Sequence, residues 1–273
     1  MDEVRAALAI ARKDLRQLSR YRWAMISMIF IPLYQGVIPA FLFGASFAIG
    51  GRVLGLESAI GTDNLSGFIF MGGVVSGLIA TTFWLMAMSI RWEMDTGTLE
   101  PTWLTPTRHD TLLIGRTVYG LAQFLVGQVI LFAAGIAFFG LRFSLDIVYA
   151  LPALALATIA MLGVAYLLAG IVLLIREANF FIDCTQFLYA VVSGVSFPIT
   201  FLPLVAQPIA LLLPTTYAMD ILRQHALGAR PLFDPRLEYV GLILTTLIAL
   251  PVGRWAFAHA ERTMRVRGTL GQY

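Results

Sequence analysis

Charged residues are scarce in this sequence and unevenly spread. Only 13% of its 273 residues are Asp, Glu, Lys or Arg, and 59% are hydrophobic, whereas an ordinary soluble domain has roughly 25% charged residues. Apolar windows of about 18 residues or more have the length of membrane helices. The composition therefore predicts an integral membrane protein. Five long windows contain no charge at all: Trp23–Gly51, Asn64–Ile90, Thr117–Leu141, Ile147–Ile175 and Cys184–Met219.

The rarity of cysteine, lysine and histidine excludes several kinds of site. A single cysteine, Cys184, excludes an intrachain disulfide and a multi-cysteine metal centre. The only lysine, Lys13, stands outside any GxxxxGK[ST] motif, so the chain has no Walker A loop for hydrolysing a nucleotide. The three histidines form no HExxH motif and lie outside the predicted membrane spans. We predict no catalytic residue, no metal site and no cofactor bound by this chain.

Ionisable residues are also nearly absent from the predicted spans. Asp183 and Arg254 are the exceptions, and both lie near the ends of spans. Proton- and sodium-coupled transporters carry acids or histidines at mid-membrane. Their absence counts against ion coupling, although a passive pore stays possible on this ground.

The first 22 residues have the pattern of an amphipathic helix. Apolar residues recur at steps of three and four between charged ones, as expected for one face of a helix. The pattern predicts that residues 1–22 form a helix lying on the membrane surface. The stripe consists of Val4, Leu8, Ala11, Leu15 and Leu18.

Six transmembrane helices are predicted. They cover residues 23–48, 65–90, 117–139, 147–175, 181–197 and 239–257. The last uncharged window is longer than the roughly 20 residues of one span but too short for two, and prolines interrupt it. We therefore predict one span followed by a re-entrant and extracellular segment, 198–236, with Pro198, Pro203, Pro208 and Pro214 in its re-entrant part.

The distribution of basic residues predicts the orientation. If the N-terminus is cytoplasmic, fourteen of the nineteen Lys and Arg residues lie on the cytoplasmic side and five lie outside. This asymmetry obeys the positive-inside rule. Both termini are therefore predicted to be cytoplasmic.

Residues 91–116 form a polar segment between the second and third predicted spans. Its first part reads RWEMDTGTLEPTWLTP. Gly97 can adopt a positive φ and end the helix that leaves the second span, and Pro106 ends a short helix after it. The segment is either a docking element for a partner or an interfacial connector without one, and the residues alone leave both open.

Two stretches resemble a known family. Glu93-xxx-Gly97-Thr98-Leu99-Glu100 followed by Thr105-Pro106 resembles the coupling-helix region of type-2 ABC transporter permeases, the membrane subunits of many bacterial exporters. The second stretch, Ser193–Pro198, Leu202-Pro203 and Leu213–Tyr217, resembles the fifth span and re-entrant element of that family. Arg223 stands where the family often has a basic residue, whereas Pro101 directly after Glu100 departs from the pattern.

The resemblance implies an all-α polytopic permease in the bacterial inner membrane, paired with a second copy or a paralogue and surrounded by lipid. Two cytoplasmic ATPase subunits would bind ATP and Mg, and no nucleic acid is involved. By resemblance, the coupling residues are Glu93, Gly97, Thr98, Leu99, Glu100 and Pro106, and the four prolines form a re-entrant gate.

The predicted pathway residues are Phe83, Phe187 and Tyr189. An uncharged pathway suggests export of a lipophilic or amphiphilic compound, such as a drug, a lipid or a glycan-type molecule. An ATP-independent channel and a membrane scaffold component are the alternatives.

Overall fold

The computed structural model describes residues 2–21, 64–105, 109–141, 143–175 and 177–267, together with single positions 23, 26, 30, 38, 42 and 61. These residues are helical or in connections, without a strand among them, which confirms the all-α prediction. The α-helices are α1 Asp2–Arg20, α2 Leu65–Ala80, α3 Ser89–Asp95, α4 Leu99–Trp103, α5 His109–Phe139, α6 Leu151–Leu174, α7 Ala178–Val192, α8 Ala206–Ala210, α9 Pro214–Leu227 and α10 Pro235–Arg267.

Four continuous helical stretches in the described residues are long and apolar enough to cross a membrane. They are Leu65–Asp95, Asp110–Ala137, Leu145–Leu174 and Pro235–Val266, and they correspond to the second, third, fourth and sixth predicted spans. The predicted first span, 23–48, lies almost entirely outside the described residues. Six spans and a re-entrant element therefore stay predictions.

The fifth predicted span differs most from the helix observed there. Helix α7 covers Ala178–Val192 and is shorter than the other four. It begins three residues before the predicted start and ends five residues before the predicted end at residue 197. A turn follows it, in which Gly194 has φ 76°, and this left-handed conformation interrupts a right-handed helix.

The spans of α6 and α10 pack with their backbones close together. A Cβ on Gly253 would lie 1.9 Å from the Gly163 carbonyl oxygen, and one on Gly163 would lie 2.4 Å from Ala249. Only glycine permits this separation, and small residues are the usual means of close helix packing in membranes. The contact joins the fourth and sixth predicted spans into one pair.

Helix α1 packs across the start of α5. Ala7 and Ala11 are buried there, and a Cβ on Gly115 would lie 2.9 Å from the Ala7 carbonyl oxygen. Leu8 and Leu15, from the predicted apolar stripe, remain exposed, so they are available to lipid. We call this end of the helical bundle the α1 end, and the opposite end, where α2 begins, the far end.

A π-helix, Thr81–Ala87, interrupts the second span between α2 and α3. The Met88 N–H donates to the Phe83 carbonyl, five residues earlier, at 3.2 Å. The hydroxyls of Thr81 and Thr82 donate to carbonyls four residues before them. Such bonds bend helices, and π-turns within helices occur frequently at functional sites.

Candidate functional site

The helix of the second span ends in a defined turn at the α1 end. The Thr98 N–H donates to the Glu93 carbonyl at 2.9 Å, and the Gly97 N–H donates to the Met94 carbonyl at 3.0 Å. With Gly97 at φ 68°, these two bonds form a Schellman motif. The turn redirects the chain into the short helix α4.

Leu99 attaches α4 to the membrane-spanning helices. It is buried in an apolar cluster with Ile90 and Met94 from the second span and Leu113 from the third. The same cluster includes Phe257 of α10. Residues of α6 also belong to the cluster, so Leu99 packs with side chains from four spans, and packed side chains can transmit displacement between elements.

Glu93 lies at the centre of a set of charges from three elements. It is only 7% exposed, and its carboxylate accepts hydrogen bonds from the Arg116 guanidinium and the Thr98 hydroxyl. Arg116 Nη1 also lies 3.0 Å from Asp14 Oδ2, on α1. Lys13 Nζ lies 3.7 Å from Asp14 Oδ1 and 3.9 Å from Glu93 Oε1.

We call Lys13, Asp14, Glu93 and Arg116 the ion cluster. Its two acids and two bases balance in formal charge. Burial raises the pKa of the Asp14 carboxyl above its ordinary value, although Arg116 and Lys13 oppose that shift. The cluster joins α1, the end of the second span and the start of α5.

A groove of about 670 Å³ opens beside the ion cluster. Its walls come from α1, α3, the turn before α4, α4 itself and α5, and include Gln17, Thr102 and Leu112. Trp92, which lines the groove, is 40% exposed. Leu104, two residues after the lining residue Thr102, is 80% exposed. Large exposed apolar side chains beside a concave surface are features of interaction sites.

At the far end, the turn after α7 contacts α9. The Arg223 guanidinium donates to the carbonyls of Gly194 and Val195, each at 2.8 Å. Of the four predicted gate prolines, Pro198 and Pro214 are buried, whereas Pro203 and Pro208 are exposed. Pro214 is the first residue of α9, and Pro208 lies within α8.

A family model described as ABC-2 type transporter matches residues 5–227, the greater part of the chain. The chain belongs to the ABC-2 type transporter family. No curated protein matches it. The matched region includes the ion cluster, α4 and the turn held by Arg223.

Membership in this family identifies the chain as the membrane permease of an ABC transporter, a transport component that is generally not catalytic. The family implies association with an ABC ATPase. Together with the four long apolar helices, it identifies a membrane protein. The resemblance to type-2 ABC permeases noted in the sequence is thereby confirmed.

The predicted coupling residues of the permease occupy different environments. Glu93 and Leu99 are buried, whereas Gly97 and Thr98 are exposed. Glu100 begins α4 with Leu99, but its side chain is outside the description, and Pro106 lies outside the described residues. Their contact with an ATPase stays a prediction.

Two of the three predicted pathway residues meet inside the permease. The rings of Phe83 and Tyr189 lie 5.5 Å apart, edge to face. The Tyr189 hydroxyl donates to the Met161 sulfur at 3.3 Å, and Phe83 is fully buried. Phe187 is 68% exposed on α7 and is not part of this contact. A pathway role for these three residues remains untested.

Sequence reasoning missed most of the ion cluster. Lys13 and Asp14 lie among the charged residues of the predicted amphipathic helix, and Arg116 ends the polar segment 91–116, so the sequence pattern did not pair them. The position of Asp14 in the sequence could have indicated the cluster. Asp14 follows Ala7 and Ala11 by seven and three residues, so all three lie on one helical face. An acid on an alanine-lined face indicates a buried partner.

Proposed function

We propose that this chain is the permease subunit of an ATP-driven exporter. Two permeases, either identical copies or paralogues, form the translocation pathway, and a separate cytoplasmic ATPase drives them. ATP and Mg bind to the ATPase. The observation that carries this proposal is the set of contacts at the α1 end, where the ion cluster and Leu99 join α4 to four spans and to α1.

The exposed part of segment 91–116 is the proposed ATPase contact. Glu93 has its carboxylate engaged within the chain, so its contribution is to fix the segment. Trp92, Leu104 and the groove beside them provide the accessible surface. Glu100, at the start of α4, is a further proposed contact. In this arrangement the ATPase displaces α4, and Glu93 and Leu99 transmit this displacement to the spans.

The orientation and the dimer follow from the same proposal. The ATPase is cytoplasmic, so the α1 end and both termini are cytoplasmic, and the far end faces outward. Helix α7 exposes Phe180, Phe187 and Leu188 together with Asp183. A mixed surface of this kind suits contact with a second permease and the pathway better than contact with lipid alone.

The transported compound is proposed to be lipophilic or amphiphilic. The proposed direction of transport is outward. The supporting observation is the scarcity of charge in the predicted spans. Transport assays in vesicles with drug-like and lipid-like compounds test this class. Transport of strictly ionic compounds alone would contradict it.

Co-purification from the native host tests the ATPase partnership. A tagged chain is isolated in mild detergent, and the bound proteins are identified by mass spectrometry and assayed for ATP hydrolysis. We expect an ABC ATPase with the unmodified chain and a reduced amount with Leu104→Asp. Leu145→Asp is the matched control, because Leu145 is equally exposed but lies at the far end.

Two outcomes would contradict the proposal. A monodisperse permease that retains no ATPase under these conditions would favour the ATP-independent channel or the scaffold. Equal loss of the ATPase with both leucine substitutions would show that Leu104 marks no contact surface.

A further inference from the structure

Arg223 is a buried cation without an ion-pair partner in the described part of the chain. Only 6% of it is exposed, and no carboxylate oxygen of the described residues lies within 4 Å of its guanidinium. The nearby Asp220 carboxylate is engaged elsewhere, accepting from the Leu232 N–H at 2.8 Å and from Gln224 at 2.9 Å. An uncompensated buried charge is costly, so the contacts that stabilise it are informative.

Backbone carbonyls take the place of a counter-ion. One terminal nitrogen of Arg223 donates to Gly194 and the other to Val195, both at 2.8 Å. Both acceptors belong to the turn after α7. A planar guanidinium reaches two adjacent carbonyls at once, whereas the ammonium of a lysine is a point charge on a flexible stem.

The second span completes this arrangement. The guanidinium carbon lies 3.4 Å from the centre of the Phe68 ring, which is a cation–π contact. The Val195 carbonyl oxygen lies so close to Gly72 that a Cβ there would be 2.6 Å from it. The turn is therefore enclosed between α2 and α9.

We propose that Arg223 is a positioning residue that holds the turn Ser193–Phe197 against the second span, and that release of this turn from Arg223 opens the far end of the permease. We call this arrangement of Arg223, Gly194, Val195 and Phe68 the Arg223 clasp. Its role in opening a pathway rests on the proposed exporter function. The clasp itself does not depend on that function and is testable without an ATPase.

A cavity of about 240 Å³ adjoins the clasp and makes its release measurable. Ser193, Thr216, Met219 and Arg230 are among the residues that line it. Ser193 is fully buried, and its hydroxyl donates to the Ala190 carbonyl at 3.2 Å. Freeing the turn would expose this side chain to water through the cavity.

Thiol labelling of Ser193→Cys is the test. The single native cysteine, Cys184, is exposed, so it is first replaced by serine. The purified chain in detergent is then treated with a charged maleimide. We expect Arg223→Gln to raise the labelling rate about tenfold or more, as expected from the loss of a charge-assisted hydrogen bond. Arg223→Lys should raise it as well, because a single ammonium nitrogen lacks the planar, two-nitrogen geometry with which Arg223 meets the two carbonyls.

Two controls distinguish a local release from general loosening. Ser89→Cys is a matched reporter at the α1 end, because Ser89 is also buried and its hydroxyl also donates to a carbonyl three residues earlier. Its labelling should be unaffected by Arg223→Gln. Arg230→Gln alters the other arginine beside the cavity, which is exposed, and should not change labelling at Ser193→Cys.

The outcomes separate the two proposals. Unchanged labelling at Ser193→Cys in Arg223→Gln would overturn the clasp. Equal acceleration at Ser193→Cys and Ser89→Cys would also overturn it, since Arg223 would then support the whole fold. Absence of an ATPase partner leaves these labelling results intact and contradicts only the exporter function.

Discussion

The two ends of this permease hold buried arginines in opposite ways. At the α1 end, Arg116 pairs with two carboxylates, Asp14 and Glu93, from two other elements. At the far end, the direct partners of the Arg223 guanidinium among the described residues are two carbonyls and an aromatic ring. The first arrangement neutralises charge between elements, whereas the second uses a charge to hold a backbone turn.

The difference determines which buried groups lose their partner when each arginine is replaced. Loss of Arg116 leaves two carboxylates in a buried site. Loss of Arg223 leaves two neutral carbonyls and relieves the cost of a buried cation. The α1 end is therefore expected to depend on its arginine for stability, and the far end mainly for the position of one turn.

The largest effect is expected for Arg116→Met. Breaking a buried ion pair by removing one partner costs about 3–5 kcal/mol, so the melting temperature of the purified chain should fall strongly. The companion variant Arg116→Met with Asp14→Asn and Glu93→Gln leaves no buried charge unpaired, because the remaining cation, Lys13, has a side chain that is 58% exposed, and it should regain much of the loss. Thermal unfolding of both proteins measures this. A single variant as stable as the triple one would contradict the account of the ion cluster.

Arg223→Leu is expected to have a smaller effect on stability. It leaves the carbonyls of Gly194 and Val195 unsatisfied, which costs about 1–3 kcal/mol for a buried polar group. The removal of an unpaired buried charge offsets part of this cost. The same thermal measurement, made alongside Arg116→Met, compares the two ends directly. A fall as large as that of Arg116→Met would contradict the distinction between them.

The smallest effect on stability is expected for Thr98→Val. This substitution tests the hydrogen bond that the Thr98 hydroxyl donates to the Glu93 carboxylate. The substitution keeps the shape of the side chain and removes the bond to the carboxylate together with the contact between the Thr98 and Thr96 hydroxyls, so about 1 kcal/mol of stability should be lost. Thr105→Val is the matched control, because its hydroxyl donates to the Thr102 carbonyl in its own turn. Equal changes in melting temperature for the two variants would show that the Thr98 bond adds nothing specific.

Local chemistry made the turn at the α1 end predictable. Gly97 was expected to adopt a positive φ and end a helix, and it does so at 68°. Long uncharged windows likewise predicted the four long apolar helices. Such features depend on residues close together in the sequence, which single-sequence reasoning can evaluate.

The environment of Glu93 could not be predicted in this way. By resemblance, Glu93 was predicted to be a residue of the ATPase-coupling segment. The fold brings Asp14 and Arg116 to it from α1 and α5, and only tertiary structure supplies that pairing. The π-helix Thr81–Ala87 was also missed, since the adjacent Thr81 and Thr82 are its only local signal.

The far end was predicted in part. The prolines indicated an interrupted chain after α7, and the structure has a turn and short helices there. The partners of Arg223 were not predictable, because two of its contacts are backbone carbonyls, which the sequence does not distinguish. The resemblance indicated only that a basic residue belongs at this position.

Communication between the two ends is tested most directly by labelling Ser193→Cys in the complex with its ATPase. The Cys184→Ser chain carrying this reporter is purified with the ATPase, and labelling is compared with and without ATP and Mg. We predict that ATP changes the labelling rate at the far end, and that Glu93→Gln abolishes this change while the ATPase stays bound. A labelling rate that ATP does not alter, or an ATP response that survives Glu93→Gln, would contradict transmission of the ATPase movement through the ion cluster.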